Sequence, residues 1–446
     1  DAPSSESQWK GLLGLGWSQF KGGQLHEAAA TFGDLLGQNP SSEIEAEAAT
    51  VRGQIFEQLG QFDSALAMYD RVLENCPTSK QYPQVLLAAA RLCDTLQRDD
   101  EAAELYQQLA DAYPQSPDRD AVLYEWAWVL ADLGQTDQSY TQFEQIHTAY
   151  PESRYWADST YRLAQRAYDS ADYGCARELT LEVLAGKADA RVREHAQGLR
   201  GRIAVADEDW PEAGRAFEAL IQEFPDSPRR LVADFWVAES VYRQGDYEAA
   251  GEQFDRLARQ VGGRDDSWLA MIPLRRAQVL AHQKKWNEAR VIASKIGAQF
   301  PDFQEQYEVD YLLGRCLGSE ADFAGAREAY RRVILSPIGE KTETAAMAQW
   351  MTGETFFHQK NYAEARREYW KVHILYKFPT WQAAALLQAA KCSDLLGESE
   401  EADKIYAQLI KEFPGTQFAK EALARRQTPP SKRQTPVSTQ PAEITH

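Results

Sequence analysis

The chain has 446 residues, a net charge of −19 and a pI of about 4.9. Because nucleic-acid affinity rests on Lys and Arg side chains that neutralise phosphates, this charge disfavours a nucleic-acid ligand, and it also disfavours an anionic membrane surface. The hydrophobic fraction of 44% is enough to build a core. No apolar run reaches the roughly 18 residues of a membrane span, so we expect no direct membrane insertion.

A short motif built around a small residue repeats along the chain. Eight of the ten intervals between these anchor residues are 37 residues long, and the other two are 39. A period of this length is typical of a solenoid of helix pairs. The anchors, which define position zero of each repeat, are Ala28, Ala65, Ala102, Ser139, Ala176, Ala213, Ala250, Ala289, Ala326, Ala365 and Ala402.

Three further positions share one residue type in most copies, as Gly16, Phe32 and Leu35 do in the first. Position −12 is always Gly or Ala. Since Gly within a helix costs about 1 kcal/mol relative to Ala, we expect two helix backbones to approach closely there. Position +4 is aromatic in nine of eleven copies, and position +7 is always aliphatic. Offsets of 0, +4 and +7 place these side chains on one helical face.

Each repeat is therefore predicted to hold a helix A of about 17 residues, a tight turn and a helix B of about 14 residues. Proline at position +12 ends helix B. Ser or Thr two residues later is predicted to cap the next helix A, and Pro117 and Pro228 suit its first position. These prolines are Pro40, Pro77, Pro114, Pro151, Pro225, Pro301 and Pro414, and the hydroxyl residues are Ser42, Ser79, Ser116, Ser153, Ser227 and Thr416.

The fifth repeat and the two ends depart from the pattern. Thr180 replaces the aromatic residue and residues 186–188 replace the proline ending, so we expect a bend or a looser joint near residues 180–195. The apolar first helix, with Trp9, could bind a partner, self-associate or fold onto the first repeat. Residues 415–426 are predicted to cap the array. The predicted organisation is an N-terminal leader at 1–8, a solenoid at 9–426 and a disordered Pro-, Thr-, Ser- and Gln-rich tail at 427–446.

The motif resembles the tetratricopeptide repeat family, in which Gly or Ala, Ala, an aromatic residue and Pro recur at this spacing. Gly53, Ala65, Tyr69 and Pro77 match it position for position. The resemblance covers residues 9 to about 426. It implies an all-α, right-handed superhelical solenoid of about eleven helix–turn–helix repeats with a 37-residue period, and a protein that binds other proteins.

Three repeat ends carry a more specific resemblance. The strings Tyr-Pro-x-Ser at 150–153, Phe-Pro-Asp-Ser at 224–227 and Phe-Pro-Gly-Thr at 413–416 resemble the bacterial cell-envelope subgroup, which includes the Tol–Pal coordinator and outer-membrane assembly lipoproteins. This implies a periplasmic or otherwise extracytoplasmic location. The five cysteines form no disulfide or zinc spacing, and free thiols favour the alternative, a cytoplasmic location.

No motif of enzyme chemistry is found. The sequence has no phosphate-binding glycine loop, no GxSxG and no HExxH, and the histidines do not cluster with carboxylates at ligand spacing. We therefore predict no catalytic, cofactor-binding or metal-binding residue and no enzymatic activity.

Binding is the function that the resemblance implies, with helix A lining the concave groove at positions −15, −11 and −8. Positions −15 and −8 could instead be core between helices. Aromatic residues and Arg dominate protein interfaces, so the chain is predicted to be a scaffold that holds a peptide or partner helix in this groove. The alternative is a cell-envelope assembly factor, or one arm of a larger protein whose effector or anchoring domain lies outside this chain. The candidate groove residues are Trp17, Arg91, Trp128, Tyr168, Arg202, Tyr242, Arg315, Phe357 and Lys391.

Overall fold

The repeat predicted from the sequence forms a series of helix pairs. The structure, a computed structural model, describes residues 5–264 and 266–433, and within these ranges it is helical with no strand. It divides after Ser227 into two units. The first unit contains α1 (Ser5–Lys21), α2 (Leu25–Leu36), α3 (Ser42–Gln58), α4 (Phe62–Asn75), α5 (Tyr82–Thr95), α6 (Asp99–Ala112), α7 (Arg119–Asp132), α8 (Thr136–Ala149), α9 (Trp156–Asp169), α10 (Tyr173–Ala185), α11 (Ala190–Ala206) and α12 (Trp210–Glu223).

The second unit continues the same series. Its helices are α13 (Arg230–Arg243), α14 (Tyr247–Val261), a 3₁₀ helix (Ser267–Ala270), α15 (Met271–His282), α16 (Trp286–Gln299), α17 (Gln306–Ser319), α18 (Phe323–Ile334), α19 (Glu343–His358), α20 (Tyr362–Leu375), α21 (Pro379–Leu395), α22 (Ser399–Glu412), α23 (Gln417–Gln427) and α24 (Pro430–Arg433). Odd-numbered helices up to α21 are helices A and even-numbered helices up to α22 are helices B. Within each unit every α-helix up to α22 packs against the next α-helix along the chain, which confirms the predicted all-α repeat.

The anchor residue and the aromatic residue four positions later form the core of each repeat. Every anchor alanine is fully buried. Ser139, the one anchor that is not alanine, is also buried, and its hydroxyl donates to the carbonyl oxygen of Ala127 at 2.7 Å. Tyr69, Tyr330 and Tyr369 are among the largest fully buried side chains. The predicted apolar stripe is therefore the core.

The glycine at position −12 is needed for a different reason from the one predicted. A Cβ atom on Gly353 would lie 2.6 Å from the ring of Tyr369, and one on Gly16 would lie 2.7 Å from the ring of Phe32. The aromatic residue at +4 of the same repeat thus packs directly on the glycine. The close approach is between a helix and a ring, and not between two helix backbones.

In every repeat the residue at position −5, in the turn between helices A and B, has a left-handed backbone conformation. Its N–H, or that of the next residue, bonds back to the last carbonyls of helix A, as Gln61 N does to Phe56 O at 2.8 Å. This is a Schellman-type ending, which favours Gly because φ is positive. Only five copies have Gly. The residues are Gly23, Gly60, Gln97, Gly134, Ala171, Glu208, Gly245, Lys284, Ala321, Lys360 and Gly397.

Most of the predicted serine caps are wrong. Several helices A have 14 residues and not 17, because a turn follows the proline and the helix begins three residues after the serine. Ser153 instead donates to the carboxylate of Asp120 in the preceding helix A at 2.6 Å. Pro117 and Pro228 precede helices that begin at 119 and 230, so neither occupies the first helical position. Thr416 does cap α23, accepting from Ala419 N at 3.1 Å.

Both ends of the array pack against neighbouring repeats. In α1, which begins at Ser5, Trp9 and its apolar neighbours pack against the first core, so of the three possibilities the helix folds onto the first repeat. At the other end, α23 covers α21, and Phe418 packs against the core. Residues 1–4 of the predicted leader and 434–446 of the predicted tail lie outside the described residues. The guanidinium of Arg433 in α24 is buried and donates to Asp403 at 2.7 Å.

Across the described ranges, none of the helices combines the length and the apolar character needed to span a bilayer.

Candidate partner-binding surface

Side chains of successive helices A contact one another in a regular pattern. A residue at position −11 or −8 meets a residue 34 positions further along the chain, on the helix A of the next repeat. Arg91 forms two hydrogen bonds with Glu125, both of 2.7 Å. Glu354 accepts a hydrogen bond from Gln388 at 3.3 Å. The candidate surface is therefore built from residues of two neighbouring repeats at each step.

Four residues on α7, α9 and α11 form what we call the aromatic–arginine patch: Trp128, Arg162, Tyr168 and Arg202. The guanidinium carbon of Arg162 lies 4.7 Å from the ring centroid of Trp128, and that of Arg202 lies 4.9 Å from the ring centroid of Tyr168. Both rings are half-buried and Arg202 is exposed. These distances are those of cation–π contacts. The patch presents flat cationic and aromatic groups to solvent.

Neighbouring side chains hold the patch in place. Tyr124 packs edge-on against Trp128, with ring centroids 6.2 Å apart, and donates a hydrogen bond of 2.7 Å to Asp158. Phe143 packs against Trp128 from helix B of the same repeat, at 5.8 Å. Burial raises the pKa of Tyr124 to about 12, and the hydrogen bond to Asp158 adds to this effect. Tyr124 therefore remains a hydrogen-bond donor at neutral pH, and Trp128 has a fixed orientation.

The second unit has a buried ion pair at the equivalent place. Arg275 of α15 donates to Glu239 of α13 at 2.6 and 2.9 Å, and Arg243 donates to the same carboxylate at 2.8 Å. Burial alone would raise the pKa of Glu239, but the two guanidinium groups outweigh it and lower that pKa. The predicted groove residue Tyr242 lies against this pair, its ring centroid 5.2 Å from the guanidinium carbon of Arg275.

The other predicted groove residues are spread over both units. Trp17 donates to Glu47 at 2.7 Å, Arg315 lies 5.5 Å from the ring centroid of Trp286, and Phe357 packs edge-on against Tyr362 at 5.4 Å. Each of them is half-buried. Of the nine predicted residues, the structure brings only Tyr168 and Arg202 into contact with one another.

Lys391 does not belong to an open surface. It is 4% exposed because α23 covers it, and its ammonium group lies 2.9 Å from Glu421 of that helix. Burial lowers the pKa of Lys391, partly offset by Glu421. The prediction placed Lys391 by its repeat position, which in the last repeat lies beneath the capping helix.

The contact residues at position −14 were not predicted from the sequence. Arg162 and Arg275 both occupy it, as does Glu125, and each binds a position −11 residue of the preceding repeat. The sequence did contain a signal, namely pairs of residues about 34 positions apart that have opposite charges or that combine a cation with an aromatic ring. This signal can be interpreted only once the offset between neighbouring helices A is known.

The described residues contain no group of three or more His, Cys, Asp or Glu side chains placed to hold a metal ion. All five cysteines are free, and Cys175 alone among them is exposed.

Helix pairs that pack against the pairs before and after them along the chain define an α-solenoid. Family models agree with this class. A tetratricopeptide repeat-like domain matches residues 201–349, and tetratricopeptide repeat models match residues 13–80, 84–116, 121–153 and 384–416. Together these segments span more than half of the chain. The chain belongs to the tetratricopeptide repeat family, whose members generally act as non-catalytic scaffolds for protein–protein interaction.

Solved structures similar to this chain come from several settings. A tetratricopeptide repeat protein from Parabacteroides merdae is 14% identical with a TM-score of 0.36, covering 61% of this chain and 99% of its own. PilF of Pseudomonas aeruginosa is 16% identical with a TM-score of 0.41, and the match covers 52% of this chain and 97% of its own. The anaphase-promoting complex heterotetramer Cut9–Hcn1 is 14% identical with a TM-score of 0.40, and the match covers 94% of this chain and 90% of its own. None of the curated proteins matches this sequence significantly.

Proposed function

We propose that this chain is a non-enzymatic scaffold that binds an extended peptide or a partner helix along its helices A. The observation that carries the proposal is the aromatic–arginine patch in the first unit. Trp, Tyr and Arg are the residue types that contribute most to binding at interfaces. Here they are partly exposed and already held in position, which reduces the ordering cost of binding.

Arg202 is the most informative residue of the patch. It is exposed and lies over Tyr168, and within residues 5–264 and 266–433 it has no ion-pair partner. Its guanidinium can therefore bind a carboxylate or a carbonyl group of a partner without first breaking an ion pair.

The first experiment asks where a partner lies. A photo-crosslinking amino acid is introduced in cells in place of Arg202 and, in a separate variant, in place of the exposed Glu218 on helix B of the sixth repeat. We expect a defined adduct from position 202 and none from position 218. Adducts from position 218 alone would contradict binding along helices A.

The second experiment measures affinity for the partner identified in that adduct. Replacing Arg202 with Ala is expected to weaken binding by about 2 kcal/mol, a factor of roughly 30. Arg191→Ala is the matched control, because Arg191 is an exposed arginine on the same helix. Both variants should melt at the wild-type temperature. Equal affinities of the two variants would show that the patch is not the binding surface.

We also propose that the protein acts in the cell envelope of a bacterium, as an assembly factor or as one arm of a larger protein. The support is the three repeat ends at 150–153, 224–227 and 413–416, which resemble those of the envelope subgroup. Fractionation of cells that produce the native protein tests this. Recovery of the chain only with the cytosol would refute it.

A further inference from the structure

Four large aliphatic side chains are exposed at the ends of α18 and α20. Leu335 and Ile338, which follow α18, are 64% and 51% exposed, and Ile374 and Leu375, which end α20, are 70% and 64% exposed. Leu335 and Ile374 occupy the same repeat position, +9, where none of the other nine copies has an aliphatic residue larger than Ala. We call these four residues the apolar edge.

The helices B of neighbouring repeats contact each other at this end. His373, at position +8 of the tenth repeat, lies 3.5 Å from Glu412, at position +10 of the eleventh. The same offset places the end of α18 beside Leu375, at position +10 of the tenth repeat. The loop after α18 also reaches this place, because burial raises the pKa of Tyr376 and the nearby carboxylate of Glu340 adds to this effect. The apolar edge therefore lies on one surface of the second unit.

The helices that carry the apolar edge are positively charged. Among the eleven helices B, only α16, α18 and α20 contain more Lys and Arg than Asp and Glu. α18 has three arginines and one glutamate, and α20 has two arginines, one lysine and two glutamates. The apolar edge thus coincides with a local excess of positive charge in a chain whose net charge is −19.

Basic side chains share helix faces with the apolar edge. Arg367, Lys371 and Ile374 lie on one face of α20, since residues three and four positions apart are neighbours on a helix. Arg331 lies one turn before Leu335 in the same way. All three basic side chains are exposed. These faces therefore present cations and aliphatic groups side by side.

The protein itself holds these cations only weakly. Arg331 pairs with Glu328 at 3.1 Å, and Lys371 pairs with Glu368 at 2.8 Å, each within a single helix. Ion pairs of this kind at the surface contribute little to stability, so exchange for another anion costs little. Lys377, two residues after the apolar edge, is exposed and has no ion-pair partner among the residues that the structure describes.

We propose that the apolar edge and its flanking cations bind the surface of an anionic lipid bilayer. Aliphatic side chains bury themselves at the boundary between headgroups and acyl chains, while Lys and Arg attract anionic headgroups. Side chains that are 51% to 70% exposed project from the protein and do not form the walls of a groove for a partner helix. A bilayer surface needs no groove, because its lipids rearrange around projecting side chains.

The net charge of the whole chain does not prevent this contact. A charge of −19 predicts repulsion from an anionic surface, but exposed charges more than about 8 Å apart are largely screened at physiological salt. The local charge of α18 and α20 therefore decides. The inference goes beyond the proposed function, because the apolar edge lies on helices B and the candidate partner-binding surface on helices A, so a partner and a bilayer use different residues.

Vesicle flotation tests this binding. The full chain is mixed with vesicles of phosphatidylcholine, or with vesicles in which about one third of the lipid is phosphatidylglycerol, at low and at physiological salt. We expect the chain to float with the anionic vesicles, less at the higher salt, and to float little with phosphatidylcholine alone. Absence of flotation with both compositions, or equal flotation with both, would overturn the proposal.

Substitutions at exposed residues test the location. Leu335→Ser combined with Ile374→Ser is expected to lower partitioning onto anionic vesicles at least about tenfold, and Lys377→Gln should lower it several-fold. Leu15→Ser combined with Leu181→Ser is the matched control, because these leucines of the first unit are 50% and 46% exposed, and it should float like the wild type. Unchanged flotation of the first double variant would refute the assignment. So would a wild-type chain that never floats but retains a crosslinked protein that this variant loses, since the apolar edge would then be a protein interface.

Discussion

The carboxyl group of Glu354 should make the stability of the second unit depend on pH. Glu354 lies on α19 and is 8% exposed. It accepts hydrogen bonds from Tyr369 at 2.6 Å and from Gln388 at 3.3 Å, while the exposed His358 lies 3.9 Å away. Burial raises the pKa of Glu354 from 4.5 to about 7, although the hydrogen bond from Tyr369 and the charge of Lys391 lower it somewhat.

The size and sign of the effect follow from this pKa. Below pH 4.5 the carboxyl is protonated in both the folded and the unfolded chain, so it contributes no pH dependence. Between pH 4.5 and about 7 the unfolded chain loses the proton first, so the free energy of unfolding falls as pH rises. Above pH 7 the loss is complete and amounts to about 3 kcal/mol. Glu354→Gln, whose amide oxygen can still accept from Tyr369, should remove this loss.

Native-state hydrogen exchange in α19–α21, measured from pH 4 to pH 8, is the suitable assay, because repeats of a solenoid can open locally. We expect Glu354→Gln to match the wild type near pH 4 and to exceed it by up to about 3 kcal/mol at pH 8. Glu400→Gln, at an exposed residue in the first turn of α22, is the control and should show no such trend. A difference that is the same at every pH, or a less stable Glu354→Gln protein at pH 8, would refute the reasoning.

Two further pairs of substitutions test the packing and the turn of the repeat. Gly353→Ala places a Cβ 2.6 Å from the ring of Tyr369 and should cost about 1–3 kcal/mol in urea unfolding, whereas Gly14→Ala, with no atom within 4 Å of the added Cβ, should gain about 1 kcal/mol. At the left-handed turn position, Ala321→Gly should stabilise by about 1 kcal/mol and Gly134→Ala should destabilise by about as much or more; equal melting temperatures of these two variants would contradict the importance of φ there.

The sequence was enough to predict the core, because each core residue contacts others at short and constant separations. Ala65 and Tyr69 lie one helical turn apart on the same face, and both are fully buried as expected. Eleven copies of one pattern also average out local exceptions such as Thr180. Helix type, the two helices of each repeat and the ends of helices B could therefore be predicted from spacing alone, whereas α24, within the predicted tail, and the 3₁₀ helix could not.

The candidate surface could be predicted only in part, because its contacts depend on how one repeat sits on the next. Trp128 was identified, but Arg162, which covers its ring, was not. Lys391 was wrongly assigned to open surface, since a repeat position does not show what α23 covers. The reason for Gly353 was also predicted wrongly. A glycine is required whether an aromatic ring or a helix backbone packs closely against the position, so the sequence does not distinguish the two.

The 34-residue pairing between helices A has a consequence for how such a chain can change during evolution. Since Arg91 of the third repeat binds Glu125 of the fourth, loss of the whole fourth repeat would preserve the helical register yet bring Arg91 opposite Arg162 of the fifth. Two guanidinium groups would then face each other where a carboxylate had neutralised one. Gain or loss of a whole repeat is thus compatible with the fold but changes the charge pattern of the candidate surface. The order of the repeats is therefore under selection, and not only their number.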